Sequence, residues 1–339
     1  MKEQNKAAPL LEVQGLKKWF LVQKGLFGRP NRYVKAVNGV DFTVGAGETL
    51  GVVGESGCGK STMGRSVMRL IEPTEGKIRF DGEDFSALTP QELRKRRSDM
   101  QIIFQDPFAS LDPRMTVGDI IAEPMDIQRL HANRSEREDH VIELCRLVGL
   151  DPDYLKRYAH EFSGGQRQRI GIARSLALSP KLIVCDEPVS ALDVSIQAQV
   201  INLMEEIQQK RGVAYIFISH DLSVVKYISD KVAVMYLGRI VEIAPKHSLY
   251  DHATHPYTQA LLSAIPIADP DSKRRRIRLE GDIPSPMNLP SGCCFHTRCP
   301  YATPECAENE PELKLIGKDH YCACLHAKSH SSADQAEKI

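Results

Sequence analysis

Residues 51–62 constrain this chain more than any other stretch: Gly-Val-Val-Gly-Glu-Ser-Gly-Cys-Gly-Lys-Ser-Thr. An apolar run predicts a strand that stops at Gly54, and a helical pattern begins at Lys60. The spacing G-x-x-x-x-G-K-S lets the backbone take positive φ and approach an anion closely. Lys60 supplies a mobile charge for phosphates, the Ser61 hydroxyl suits Mg²⁺, and the helix start offers free N–H groups. This order predicts a nucleoside triphosphate site rather than an ordinary glycine-rich turn. The predicted phosphate-binding residues are Gly54, Glu55, Ser56, Gly57, Cys58, Gly59, Lys60, Ser61 and Thr62.

The composition argues against several classes of protein. Lys+Arg and Asp+Glu both number 44, and this balance argues against nucleic acid as the main partner. No stretch reaches the ~18 apolar residues that span a bilayer, and the N-terminus is too polar for a signal peptide. We therefore expect a cytosolic chain that reaches a membrane only by binding a membrane protein. The basic runs 94–97 and 273–276 are interpreted as solvated faces, since neither is interleaved with aromatic residues.

Two segments before the phosphate loop predict strands. Residues 10–20 and 33–44 partly alternate apolar and polar side chains, as in a half-exposed antiparallel sheet. Trp19 and Phe20 end the first segment, and from the pattern alone either stacking on a base or packing on the sheet explains a ring there. A further strand is predicted at 77–80.

Two strand ends carry polar side chains that suit phosphate chemistry. The predicted strand 99–105 ends at Gln105 before Asp-Pro, where a chain leaves a sheet. The Gln105 amide would reach Mg²⁺ or the attacking water; by itself it is equally a polar strand end. Residues 181–187 form a continuous apolar run that ends in two carboxylates, which is typical of a buried parallel strand. Asp186 is placed to hold Mg²⁺, and Glu187 to orient a water as general base.

Residues 116–160 predict a helical insert between two halves of the core. Within it, Ser135–Glu138 is interpreted as a capping box that opens a helix. After the insert, Ser163 and two glycines precede a helix, which makes a second candidate anion site. A predicted strand at 215–219 ends at His220, whose imidazole suits a γ-phosphate contact; a purely structural histidine is the other interpretation.

Together these motifs resemble, in kind and order over residues 10–240, those of the ATP-binding subunit of an ABC transporter. The resemblance implies a P-loop NTPase α/β fold with a mixed sheet, an antiparallel β subdomain and a helical insert, with ATP and Mg²⁺ as ligands. It also implies two such subunits head to tail, in which the signature Ser163–Gln166 of one chain caps the phosphates held by Lys60 of the other. Phe20 matches the adenine-stacking aromatic of the family better than Trp19. The implied site residues are Phe20 and residues 54–62 for the nucleotide; Glu187, His220 and Gln105 for catalysis; Ser61, Gln105 and Asp186 for Mg²⁺; and Ser163, Gly164, Gly165 and Gln166 for the partner's nucleotide.

Residues 247–266 and 281–286 resemble the dipeptide/oligopeptide importer branch, which also includes nickel and glutathione importers. The form of the phosphate loop and the long segment before Tyr33 resemble the second of that branch's two ATPases, the F-type. The resemblance implies ATP hydrolysis that powers peptide import. The implied partners are a related second ATPase, two permease subunits and an extracytoplasmic binding protein, without nucleic acid. The chain would lie peripherally on the cytoplasmic side of the membrane, with its insert near 108–130 meeting the permease.

Two other classes stay open. A soluble ABC ATPase of translation or DNA repair is disfavoured, because such proteins usually carry two cassettes or long coiled coils. A regulatory iron–sulfur protein that merely binds ATP is disfavoured by the intact Asp-Glu pair and His220. The expected domains are a nucleotide-binding domain (1–265, insert about 107–165), a C-terminal extension (266–326) and a polar tail (327–339) predicted to be disordered.

The extension holds six of the nine cysteines. Clustering in a reducing cytosol favours metal ligation over disulfides, and the spacing differs from the C-x2-C pairs of zinc ribbons. It resembles the C-terminal iron–sulfur motif of peptide-importer ATPases, whose four thiolates could hold a [4Fe–4S] cluster; zinc and no metal are the alternatives. The expected ligands are Cys293, Cys299, Cys306 and Cys324. Cys294 and Cys322 are extra to the motif, so the choice within each neighbouring pair rests on alignment to it.

Overall fold

The computed structural model describes residues 8–24, 30–106, 110–266 and 276–327. Its strands are β1 (Leu11–Lys24), β2 (Pro30–Val44), β3 (Thr49–Val53), β4 (Glu75–Phe80), β5 (Glu83–Asp84), β6 (Met100–Ile103), β7 (Leu182–Asp186), β8 (Ala214–Ile218), β9 (Lys231–Tyr236), β10 (Arg239–Pro245), β11 (Lys314–Gly317) and β12 (His320–Cys322). Its helices are α1 (Lys60–Val67), α2 (Pro90–Arg96), α3 (Val117–Gln128), α4 (Arg134–Leu147), α5 (Gly164–Leu176), α6 (Val194–Arg211), α7 (Leu222–Ile228), α8 (Lys246–Asp251), α9 (Pro256–Ser263) and α10 (Pro304–Glu308). Short 3₁₀ turns cover Pro152–Lys156, Ala159–Glu161 and His296–Arg298.

The chain divides into two compact units, each built from separate stretches of sequence. The first unit comprises Met1–Leu11, Thr43–Thr49 and Arg79–Ser219. The second unit comprises Glu12–Phe42, Leu50–Ile78 and His220–Ile339. No helix in the described ranges is long and apolar enough to cross a bilayer. The predicted disordered tail, 327–339, lies outside the described residues from 328 onward.

The first unit contains a parallel sheet in the order β8-β7-β6. Every residue of β7 and β8 is buried, so the apolar run predicted as a buried strand is confirmed as Leu182–Asp186. Continuous Leu, Ile and Val suit a strand that is covered on both faces. The predicted strand 99–105 is shorter, Met100–Ile103, and Gln105 therefore lies in the loop that follows β6.

The helical insert lies in the first unit as α3 and α4. Its second helix begins one residue before the predicted capping box, and the box at Ser135 is wrong. Asn133 is the N-cap instead, with its side chain accepting the Glu136 N–H at 2.9 Å. Asn caps a helix as well as Ser does, and Asn133 has the extended conformation that an N-cap requires. A two-point contact joins the helices, because Arg137 donates to both carboxylate oxygens of Asp126 at 2.7 and 2.8 Å.

The second unit contains a mixed sheet in the order β3-β9-β10-β12-β11. β9 pairs parallel with β3 and antiparallel with β10, and β10 pairs antiparallel with β12. The outer strands β11 and β12 come from the cysteine-rich extension. The sequence did not predict them, because strands of three and four residues show no readable alternation. A smaller sheet contains the order β2-β1-β4, so the two segments predicted as strands before the phosphate loop lie side by side.

A buried carboxylate joins the extension to β10. Glu242 is fully buried and accepts the backbone N–H groups of Thr254 at 2.7 Å and His255 at 3.0 Å. His320 of β12 places Nε2 at 2.7 Å from the same carboxylate and Nδ1 at 2.9 Å from the Ser248 hydroxyl. Several donors thus satisfy a carboxylate that would otherwise be costly to bury, which attaches β12 firmly.

Candidate nucleotide site and cysteine cavity

The phosphate loop joins β3 to α1, as the sequence predicts. Gly54 and Gly59 have φ angles of 153° and 105°, in the region that L side chains rarely adopt. A Cβ on Gly54 would lie 2.1 Å from the Met235 carbonyl oxygen, and one on Gly59 would lie 2.0 Å from that of Ala36. Both positions therefore require glycine for conformation and for space.

Lys60 closes over this loop. Its side chain is buried, and Nζ donates to the Gly54 carbonyl at 2.8 Å and the Glu55 carbonyl at 3.0 Å. Gly57, with φ 77°, faces open space, since an added Cβ would meet no atom within 4 Å. A cationic group above a glycine loop at the start of α1 fits a polyphosphate, whose oxygens would replace the loop carbonyls as acceptors. The residues present therefore fit the triphosphate that the sequence implies.

The structure brings Gln105 and Glu187 together in the first unit. The register pairs Ile103 of β6 with Cys185 of β7, so these two parallel strands end at the same edge of the sheet. Gln105 Nε2 donates to Glu187 Oε2 at 2.9 Å, and the Glu187 N–H donates to the Ile218 carbonyl at 3.0 Å. Glu187 has φ 50°, a conformation that non-glycine residues adopt at a cost.

Asp186 is the last residue of β7 and is almost fully buried, whereas Glu187 directly after it is partly exposed. The left-handed conformation of Glu187, φ 50°, explains this difference, because it turns the side chain away from the strand, in which every residue up to Asp186 is buried. One carboxylate thus belongs to the core and the next is accessible from solvent. Such a pair gives one group suited to hold a cation and one suited to contact water.

The signature forms the start of α5 in the first unit. Ser163 accepts the Gln166 N–H at 3.4 Å, and Gln166 Oε1 accepts the Ser163 N–H at 3.1 Å, which is a capping box. Ser163 is exposed, and Gly165 is buried where a Cβ would lie 2.4 Å from Ile196. Arg167 ties this turn to the preceding one by donating to the Ala159 carbonyl at 2.8 Å. The expected second helix start is present and accessible from outside the chain.

The remaining predicted nucleotide residues lie in the second unit. His220 is exposed and precedes α7, whose N-cap is Asp221. Phe20 is 39% exposed on β1. Its neighbour Trp19 instead donates from Nε1 to Asn38 at 3.2 Å and packs near Tyr33, at 6.2 Å between ring centroids. Phe20 is thus the more exposed of the two rings, and its role in stacking on adenine stays a prediction.

Four of the extension's cysteines line one cavity of about 510 Å³ in the second unit. They are the expected ligands Cys293, Cys299, Cys306 and Cys324. The two extra cysteines, Cys294 and Cys322, are buried and do not line the cavity. All six are free thiols. Burial, together with the neighbouring thiols, raises the pKa of Cys293 to about 11. Among the described residues, no group of three or more His, Cys, Asp or Glu side chains could hold a metal ion.

The sequence did not predict the partner of Glu55. Arg298 reaches the carboxylate of this phosphate-loop residue with two hydrogen bonds, at 2.9 and 3.1 Å. The two residues are 243 positions apart in the chain. The only local signal was the position of Arg298 directly before Cys299 and Pro300. That signal marked a motif but could not indicate a contact.

Comparisons with known proteins agree with this geometry. Residues 37–190 match the ABC transporter family, and residues 241–306 match the C-terminal region of oligopeptide/dipeptide transporters. The chain is 58% identical over 318 residues to the oligopeptide transport ATP-binding protein AppF of Bacillus subtilis (strain 168), covering 93% of this chain and 96% of that protein. It is 54% identical over 320 residues to OppF of Salmonella typhimurium, also an oligopeptide transport ATP-binding protein, with 93% and 96% coverage.

Solved structures show the same core. The dimeric ATP-binding cassette MJ0796 bound to ADP and Pi is similar with a TM-score of 0.62 and 25% identity, over 70% of this chain and 98% of that one. The phosphate loop, the signature and the Asp186-Glu187 strand end all lie within residues 37–190, which match the ABC transporter family. The chain therefore belongs to the ABC transporter ATPases, in the group of the oligopeptide transport ATP-binding proteins.

Proposed function

We propose that this chain hydrolyses ATP to power the import of di- or oligopeptides through a membrane ABC transporter. The observation that carries the proposal is the similarity to oligopeptide transport ATP-binding proteins over nearly the whole chain, extension included. The names of these relatives, oligopeptide transport ATP-binding proteins, favour peptide cargo over nickel or glutathione, and residues 241–306 match the oligopeptide/dipeptide transporter C-terminal region.

The proposed chemistry assigns each motif one task. Lys60 neutralises charge on the β- and γ-phosphates, and residues 54–62 bind phosphate oxygens through backbone N–H groups. Ser61, Gln105 and Asp186 would hold Mg²⁺, which supplies charge neutralisation between the phosphates when bound.

Glu187 acts as the general base in this proposal. Its carboxylate orients a water against the γ-phosphate and takes up the proton of that water. The hydrogen bond from Gln105 holds the carboxylate in one orientation, and His220 contacts the γ-phosphate. Phe20 stacks on the adenine ring, for which its exposed position on β1 is suited.

The proposed partners follow from the exposed signature. A helix start at Ser163–Gln166 caps the phosphates held by another ATPase, and we propose that this second subunit is a related but different chain. Two permease subunits complete the transporter, contacted by the insert near 108–130, and an extracytoplasmic protein delivers the peptide. The chain would then lie on the cytoplasmic face of the membrane as a peripheral subunit.

Co-purification tests this assembly. The native chain is tagged, membranes are solubilised gently, and the proteins that accompany it are identified by mass spectrometry. Two polytopic permeases and a second ATPase would support the importer. Recovery only from the soluble fraction, with ribosomes, DNA or no partner, would contradict it. Cells that lack the chain should take up a labelled tripeptide more slowly and nickel at an unchanged rate.

We also propose that Cys293, Cys299, Cys306 and Cys324 hold a [4Fe–4S] cluster. The support is that these four thiols, and neither of the two extra ones, face a single cavity. A cluster of this type takes four thiolates and is wider than one ion, so its ligands need not converge on a point. Burial raises the pKa of Cys293, Cys299 and Cys324, which agrees with thiols that lose their protons when metal binds.

Iron analysis tests the cluster with a matched control inside the chain. Anaerobically purified protein should contain about four iron and four sulfide per chain, as the cluster type requires. Cys299→Ser should lose most of this iron, whereas Cys294→Ser, which changes a thiol outside the cavity, should retain it. Anaerobic protein with neither iron nor acid-labile sulfide would contradict the proposal.

A further inference from the structure

We infer that Arg298 of the extension is a positioning residue of the phosphate loop, which it serves by neutralising and orienting Glu55. The inference rests on the proposed role of that loop in nucleotide binding. The Arg298 side chain is 7% exposed, and its Nη1 and Nη2 bond the two oxygens of Glu55 at 2.9 and 3.1 Å. A two-point pair of this kind determines the orientation of both groups and not only their separation.

The Glu55 backbone is held as well as its side chain. Its N–H donates to the Tyr257 hydroxyl at 2.9 Å, and its carbonyl accepts from Lys60 at 3.0 Å. The residue directly after Gly54 is thus attached to α9 through Tyr257, to the extension through Arg298 and to the loop's own lysine.

Arg298 is itself held by aromatic packing. The 3₁₀ turn His296–Arg298 follows Phe295, which is 1% exposed. The Phe295 ring lies 5.3 Å from that of Tyr236 and 5.4 Å from that of Tyr257, between centroids. Tyr236 also places its hydroxyl 3.5 Å from Arg298 Nη1. The guanidinium therefore approaches the loop from a well-packed turn.

The charge of Glu55 explains why the loop needs this partner. A carboxylate in a loop that binds a triphosphate would repel the ligand, since like charges a few ångströms apart disfavour one another. Arg298 cancels this charge and turns the carboxylate toward the extension. Loss of Arg298 should therefore weaken ATP binding more than ADP binding, because ATP carries one more negative charge. A purely structural contact would not distinguish the two nucleotides.

Calorimetric titration of the full chain with Mg-ATP and Mg-ADP tests the inference. Arg298→Gln should bind ATP about tenfold more weakly and ADP with a smaller loss, and added salt should narrow the gap because it screens charge. Adding Glu55→Gln to that variant should bring ATP affinity back to within about threefold of the parent, since the repelling charge is then gone. Arg298→Lys keeps the positive charge but cannot form the two-point contact, so its ATP affinity should lie between those of the parent and Arg298→Gln.

An ion pair between β10 and the extension supplies a control. Arg239 and Glu310 form a second arginine–glutamate pair, and neither residue belongs to the phosphate loop. Arg239→Gln removes this ion pair and should leave both affinities within twofold of the parent.

Three results would overturn the inference. The first is a folded Arg298→Gln that binds both nucleotides as the parent does. The second is a double variant no better than the single one, which would mean that the loss arises from disturbed packing. Should Arg298→Gln not fold, the third is an Arg298→Lys protein with unchanged affinity for ATP. Lys60→Ala distinguishes failure of this inference from failure of the proposed function. If Lys60→Ala still binds nucleotide, the assignment of the phosphate loop as the nucleotide site is wrong. If Lys60→Ala loses nucleotide binding but Arg298→Gln does not, only the role inferred for Arg298 is wrong.

Discussion

Glu187 shows at the level of one residue how the fold prepares a reactive group. It follows the last residue of β7 in a left-handed conformation, φ 50°, with its N–H bonded to Ile218 at 3.0 Å and its carboxylate to Gln105 at 2.9 Å. Backbone strain of this kind persists only where surrounding contacts determine it. The conformation turns the carboxylate away from the core in which Asp186 is buried.

Glu187→Gln should retain ATP affinity and lose hydrolysis. The amide has almost the same shape but cannot accept a proton, so we expect turnover to fall about 10²- to 10⁴-fold, the usual contribution of a general base. Phosphate release and nucleotide titration measure the two properties separately. Near-normal turnover would show that another group takes the proton.

Backbone conformation also predicts which glycines of the chain tolerate substitution by alanine. Gly59→Ala should lower the free energy of unfolding by more than about 2 kcal/mol, because φ 105° is strained for alanine and its Cβ would meet the Ala36 carbonyl. Gly171 of α5 has ordinary helical geometry and open space, so Gly171→Ala should stabilise the chain by about 0.5–1 kcal/mol. Urea denaturation of both variants measures the contrast. Equal effects would contradict it.

Among the elements, α9 depends on an unusual N-cap. His255 is 1% exposed, and its Nδ1 accepts the Tyr257 N–H at 3.1 Å, which requires a neutral ring. Burial lowers the pKa of His255 from 6.5 to about 4, even though Glu242 nearby acts to raise it. The helix that begins here carries Tyr257, whose hydroxyl contacts the phosphate loop.

This cap should make stability depend on pH. A histidine with a lowered pKa in the folded chain binds its proton first in the unfolded chain, so stability is lost as pH falls from about 6.5 toward 4. We expect a loss of about 2 kcal/mol between pH 7 and pH 5 from this group alone. His255→Asn keeps a capping side chain without titrating. Urea denaturation at both pH values should show that the free energy of unfolding falls by about 2 kcal/mol more in the parent than in the variant. Equal decreases in the two proteins would contradict a role for His255 in this pH dependence.

At the scale of the whole molecule, the signature and the phosphate loop belong to different compact units, and the signature helix opens on an exposed serine. The capping box satisfies the first donors of α5 locally, which keeps the helix start formed without a ligand. An exposed, preformed helix start suits contact with a second chain, as proposed above.

Ser163→Arg should abolish ATP hydrolysis by the assembled transporter, because a long cationic side chain would fill the space for the partner's nucleotide. Nucleotide affinity of the isolated chain should be unchanged, since its own phosphate loop is intact. Asn133→Arg removes the N-cap of α4 in the same way and serves as the control for loss of a cap. Hydrolysis by the Ser163 variant at the parent's rate would contradict a role for the signature between subunits.

The sequence alone determined the features that depend on neighbouring residues. The glycines of residues 54–59, the apolar run before Asp186 and the helix start at Ser163 each depend on a few positions, so their patterns are visible in the printed chain. The wrong prediction of a capping box at Ser135 also concerns residues close together in the chain. Asn133 competes for the cap two residues earlier, and sequence alone does not rank two good caps.

The tertiary structure decided what joins distant parts of the chain. Arg298 meets Glu55 across 243 positions, His320 meets Glu242 across 78, and β12 pairs with β10. Which four cysteines face the cavity is also set by packing, because neighbours such as Cys293 and Cys294 differ only in the side to which the backbone turns them. Such contacts leave no periodic trace, since they depend on how elements pack and not on the residues beside them.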